Sequence, residues 1–88
     1  MKWEISYSHD ARKFLDRESS HRQIKNELIN FLKKIEGENI NIDVKKLKGS
    51  WKGFYRIRKG KIRIIFSVEY DNKVLFVNKI DFRGDVYK

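Results

Sequence analysis

Four cations stand at alternate-residue spacing around one glycine, with Arg56 and Arg58 before Gly60 and Lys61 and Arg63 after it. Successive side chains of an extended chain point to opposite faces. With Lys59-Gly60 as a two-residue hairpin loop, Arg58 lies opposite Lys61, Ile57 opposite Ile62, and Arg56 opposite Arg63. All four cations then share one face. Tyr55, Ile57, Ile62, Ile64, Phe66 and Val68 take the other, and this apolar set fixes which side is buried. Like charges directly opposite each other on a sheet destabilise it, by a few tenths of a kcal/mol to ~1 kcal/mol per pair. No acid lies within the hairpin to offset them; only Glu69, at the far end of the second strand, shares their face. One reading is that the side chains splay into water or pair with more distant acids such as Asp81 or Asp85. The simpler reading is a bound polyanion, because arginine meets phosphate through bidentate, charge-assisted hydrogen bonds. Lys45, Lys46, Lys48 and Lys52, just upstream, would extend that electrostatic footprint.

Other residue types offer less. His9 and His21 fall at predicted helix starts, with a spacing that matches no metal motif. Ser19-Ser20 suits a helix cap better than a nucleophile, and the glycines are isolated turn residues outside any phosphate-cradling pattern. Cysteine is absent, which excludes a disulfide framework and a thiolate metal site. Neither a metal nor a cofactor is expected. Tyr87 is an aromatic in a polar tail, suited either to docking on the sheet or to stacking on a nucleotide base.

The whole-chain balance agrees with the local one. Lys and Arg total 21 against 12 Asp and Glu, a net charge of +9 in 88 residues, with a pI near 9.9. Such a surface attracts polyanions, and either nucleic acid or an acidic protein fits it. A membrane fits less well, because no basic helix carries a large exposed apolar face. No apolar run approaches the ~20 residues of a membrane span. The N-terminus has no apolar signal segment, so a cytoplasmic protein is expected.

The length fits one domain, residues 1–88. Trp3, Ile5 and Tyr7 alternate with Lys2, Glu4 and Ser6, which predicts a half-buried first strand. Ser8 can cap a helix to about Glu18, with Ala11, Phe14 and Leu15 inward. Ser20 opens a capping-box spacing. Ile24, Leu28, Phe31, Leu32 and Ile35 then form one helical stripe, which Gly37 ends. Residues 37–53 read as an irregular connection anchored by Ile40, Ile42, Val44 and Leu47. Strands follow at 54–58, 61–70 and 73–81, with turns at Lys59-Gly60 and Asp71-Asn72. Trp3, Phe14, Phe31, Trp51, Phe54, Phe66, Phe76 and Phe82 are candidate core or half-core aromatics. The order β-α-α-β-β-β predicts an α+β fold, with an N-terminal strand and a helical hairpin packed on a mostly antiparallel four-stranded sheet. A plain turn at Asp71-Asn72 would put Arg83 on the core face if the last strand ran that far, so joining it to the other arginines requires a bulge or a chain that has already left the sheet.

The runs Val44–Gly49, Gly53–Arg58, Gly60–Phe66 and Ile80–Tyr87 together resemble the RelE/ParE toxin superfamily, and the likeness extends over essentially the whole chain. It implies the toxin of a type II toxin–antitoxin system. RelE-like members are ribosome-dependent endoribonucleases that cleave mRNA in the A site, whereas ParE-like members inhibit DNA gyrase. The residues at Arg56, Arg58, Arg63, Arg83 and Tyr87 are compatible with the nuclease branch; a gyrase inhibitor and a non-catalytic RNA-binding module are the alternatives. In the implied metal-independent mechanism the ribose 2′-hydroxyl attacks the adjacent phosphate and the 5′-oxygen leaves. Arg56, Arg58 and Arg63 would hold that phosphate, Arg83 would protonate or stabilise the leaving oxygen, and Tyr87 would orient a base. Lys45, Lys46, Lys48, Lys52 and Lys61 would bind RNA. Phe82 stands where many relatives carry a histidine, and arginine, protonated at any physiological pH, is a poor general base. The implied partners are the ribosome, mRNA and a cognate antitoxin with an acidic, partly disordered wrapping segment. No membrane is implied, and DNA only indirectly, through the antitoxin.

Overall fold

A computed structural model describes residues 2–18 and 21–82. The elements run β1 (Glu4–Tyr7), α1 (His9–Arg17), α2 (His21–Ile35), β2 (Asp43–Lys46), a 3-10 turn (Gly49–Trp51), β3 (Tyr55–Lys59), β4 (Ile62–Glu69) and β5 (Val74–Phe82). The α+β reading and both helices hold, but the sheet has five strands, not four, in the order β1-β5-β4-β3-β2. The added strand, β2, lies in the stretch expected to be irregular. Among the described residues only β1 pairs in parallel, with β5; the other pairings are antiparallel.

Both helices cover one face. Phe14 and Leu15 of α1 and Ile24, Leu28, Phe31 and Leu32 of α2 are buried with Ile57, Ile64, Phe66, Leu75 and Val77 of the sheet. Phe31 meets Phe66 edge-on at 4.8 Å between ring centroids, the geometry favoured by aromatic quadrupoles. After α2, the Gly37 N–H donates to the Lys34 carbonyl and the Glu38 N–H to the Lys33 carbonyl. This Schellman closure requires the positive φ of 102° that glycine takes without strain. Ser20, expected to cap α2, lies outside the described residues.

Ser8 caps α1 as its sequence predicts, accepting the Ala11 N–H at 3.1 Å. Its hydroxyl also donates to the Asn78 carbonyl at 2.6 Å. That second bond falls at a bulge, where Ile65 pairs with Lys79 but Phe66 already pairs with Val77. The bulge reverses the facing of β5. Before it, Phe76 points away from the helices and is 38% exposed, which corrects its reading as a core or half-core residue. After it, Asp81 lies opposite Arg63 on the outer face, while Phe82 packs against Phe14 at 5.3 Å. Among the described residues no helix is long and apolar enough to cross a membrane.

Candidate nucleic-acid interface

The β3–β4 hairpin keeps the predicted faces but not the predicted partners. Its pairs are Tyr55 with Phe66, Arg56 with Ile65, Ile57 with Ile64, Arg58 with Arg63 and Lys59 with Ile62. The register has slipped by two residues, so every side chain stays on its expected face. The loop is Gly60-Lys61 rather than Lys59-Gly60. Gly60 has φ +59°, so glycine occupies the first loop position, where a tight hairpin demands a positive value. The sequence-based loop would put a lysine there. Arg58 and Arg63, not Arg56 and Arg63, therefore face each other directly, and Lys61 sits exposed in the turn.

Two rows cross the outer face of four adjacent strands. One reads Asp43, Arg58, Arg63, Asp81; the next reads Lys45, Arg56, Ile65, Lys79. The first row places an acid beside each of its arginines. Asp43 Oδ2 accepts from Arg58 Nε at 2.7 Å, and Asp43 Oδ1 accepts from Arg56 Nη2 at 2.9 Å. The bond from Arg58, with the neighbouring guanidinium charges, holds the Asp43 carboxyl below its usual range. The hairpin lacks an acid of its own, as its sequence says, but Asp43 enters from β2 and pairs with two of its arginines. This corrects the picture of an unopposed cluster.

The arginines differ in access. Arg56 is only 9% exposed, and its buried Nε has no hydrogen-bond partner among the described residues. The Arg58 side chain is 51% exposed. Arg63 Nη1 donates to the carbonyls of Gly60 at 3.0 Å and Ile62 at 3.3 Å, and among the described residues it pairs with no carboxylate. Arg58 and Arg63 are thus the guanidinium groups that present donors to an anion. Beside Arg58, a polar hollow of about 350 Å³ is lined by Glu27, Asn30, Asn41, Asp43 and Lys59.

The lysines divide. Lys45 lies opposite Arg56 and joins the arginine face. Lys46, one residue on, alternates to the other side. With Lys48 and Lys52 it rims a separate cleft of about 560 Å³, walled by Leu47, Phe54, Tyr55, Val68 and Tyr70. Lys79, not singled out in the sequence, joins the arginine face through its pairing with Ile65. Arg83 and Tyr87 lie outside the described residues.

Taken together, these features define a small α+β domain with helices on one face of a sheet and a cationic surface on the other. Comparison with known proteins narrows the class. No protein-family model matches the chain. A curated protein of Methanocaldococcus jannaschii, "Putative toxin RelE1", is 39% identical over 62 residues, covering 70% of this chain and 68% of the relative. The archaeal RelE–RelB complex from Pyrococcus horikoshii contains a chain that superposes with TM-score 0.63 at 28% identity, over 97% of this chain and 99% of that one. The RelB–RelE antitoxin–toxin complex from Methanococcus jannaschii gives TM-score 0.62 at 25% identity, over 89% of each chain. The chain belongs to the RelE toxin family.

Proposed function

We propose that this protein is the toxin of a type II toxin–antitoxin pair, and that it is an endoribonuclease that stops translation by cutting mRNA on the ribosome. The observation that carries the proposal is the cross-strand pair Arg58–Arg63 on the outer face, flanked by Lys45 and Lys79. In the reaction the 2′-hydroxyl loses its proton to water as its oxygen bonds to phosphorus, the bond from phosphorus to the 5′-oxygen breaks, the 5′-oxygen takes up a proton to become a hydroxyl, and a 2′,3′-cyclic phosphate remains. Negative charge grows on the non-bridging and leaving oxygens. Guanidinium donors already fixed toward those oxygens stabilise it without reorganising as the reaction proceeds. Arg58 and Arg63 take this part. Arg83 is assigned to the leaving oxygen and Tyr87 to a base, on the family resemblance alone. Arginine stays protonated, so its contribution is charge stabilisation rather than proton abstraction. Alignment of the 2′-hydroxyl with the scissile bond by the ribosome and its mRNA supplies a further share of the rate.

The partner follows from charge and kinship. Two related toxins were solved with a RelB antitoxin. A net charge of +9 favours an acidic chain as the partner here. Primer extension on mRNA from a translation reaction with purified ribosomes tests the function. Added toxin should produce breaks at fixed codon positions that vanish with Arg63→Ala. Intact mRNA in a reaction whose translation has nevertheless stopped would refute the nuclease reading.

A further inference from the structure

We propose that Asp43 is a positioning residue of the phosphate site: it orients the Arg58 guanidinium toward the phosphate, while buried Arg56 anchors Asp43 and does not itself touch RNA. The inference rests on the outer face being the phosphate site and reassigns the roles within it.

The geometry sorts the three side chains. Arg58 spends its Nε on Asp43 Oδ2, at 2.7 Å. Among hydrogen bonds between described residues, its terminal nitrogens Nη1 and Nη2 have no partner, and the side chain is half exposed. A guanidinium held by Nε alone presents its remaining edge, which matches the spacing of two phosphate oxygens. Arg56 is arranged the other way. It is buried, its Nη2 is committed to Asp43 Oδ1 at 2.9 Å, and its Nε is enclosed. An arginine so placed cannot reach a phosphate at the surface without leaving its site, and its charge is already opposed. Both oxygens of Asp43 are therefore occupied, one by an anchor and one by a working group. Arginine side chains lose much rotamer freedom when they bind. Asp43 removes that freedom from Arg58 before substrate arrives, which is preorganisation in its simplest form.

A carboxylate between two arginines also has an opposite reading, in which it imitates the phosphate and competes with it. The two readings differ in sign. Under the positioning role, Asp43→Asn lowers single-turnover cleavage of ribosome-bound mRNA about 10- to 100-fold, because the reacting geometry is lost. The same variant binds a single-stranded RNA oligonucleotide as tightly as wild type or more tightly, since a negative charge has left a cationic face. Cleavage that rises along with affinity would overturn the proposal.

Loss of fold is a separate hazard, because removing Asp43 leaves buried Arg56 unpaired. The double variant Asp43→Ala/Arg56→Met removes the buried arginine together with its exposed carboxylate partner. It should melt near the wild-type temperature yet cleave as poorly as Arg58→Ala; wild-type cleavage by this variant would overturn the proposal. A third measurement does not depend on catalysis. In nitrogen-15 spectra of the arginine side chains, RNA oligonucleotide should shift the Arg58 Nη signals while Arg56 stays unmoved. Wild type should show an Arg58 Nε–H slowed in exchange by its bond to Asp43, and that signal should be lost in Asp43→Ala. An Arg56 response as large as that of Arg58 would contradict the anchor role. If the wild type cuts no mRNA, the nuclease reading fails alone, and the spectra still decide the role of Asp43.

Discussion

Arg58 and Arg63 stand opposite each other on adjacent strands, at a spacing of about 5 Å between backbone positions in such pairs. The arrangement is costly unless something offsets it, and an acid at each end of the same row, Asp43 and Asp81, does so in part. Acids to the sides leave the outward direction open to an anion. Arg63, with no carboxylate partner among the described residues, is the cation whose charge a phosphate should feel most directly. Arg63→Ala should therefore reduce the slope of log affinity against log salt for single-stranded RNA by about 0.7, the value for one neutralised phosphate. Filter binding across a salt series measures it, and an unchanged slope would remove Arg63 from the interface. The identities of Arg56, Arg58 and Arg63 and their common face were legible from alternation alone. Their inequality was not. Burial of Arg56 depends on neighbours from other strands, and the partner of Arg58 lies fifteen residues away.

At the scale of elements, the missed partner was a missed strand. Ile40, Ile42 and Val44 alternate with Asn41, Asp43 and Lys45, which is the period of a strand, and that signal places Asp43 and Lys45 on one side. Its shortness and its glycine-bounded surroundings hid it among loop residues. The hairpin slip has an equally local cause, since the position of Gly60 decides which two residues form the loop. The bulge in β5 is different. The sequence called for either a bulge or an early departure of the chain from the sheet, and the bulge falls at Asn78, whose carbonyl accepts from a residue seventy positions away. The Ser8 hydroxyl caps α1 and also binds the Asn78 carbonyl, so a single side chain ties the first helix to the point where β5 changes facing. Ser8→Ala should cost about 1–2 kcal/mol in a denaturant titration, as the loss of a helix cap does. It should also disturb the amide signals around Asn78. A full capping cost with unmoved Asn78 signals would show that the cap and the bulge are independent.

The whole molecule divides its labour between two faces of one sheet. The face under the helices holds the apolar core, with Phe66, Ile57, Ile64, Leu75 and Val77 fully buried. The opposite face gathers Lys45, Arg58, Arg63 and Lys79 across four strands, and the core holds them in register. A chain of +9 net charge with this division is built to meet a polyanion, and an acidic partner that covers the same face would silence it. Fold, family and the sign of the charge could be read from the chain itself. The differences in burial and pairing among the cations required the packed sheet. The most direct test of the account is the chemistry of the RNA ends left by this protein in a ribosome-bound mRNA. Wild type should leave a 2′,3′-cyclic phosphate on the upstream fragment, and the Arg58→Ala/Arg63→Ala double variant should leave the message whole. Fragments of the same kind and amount from the double variant would mean that the phosphate is held somewhere else.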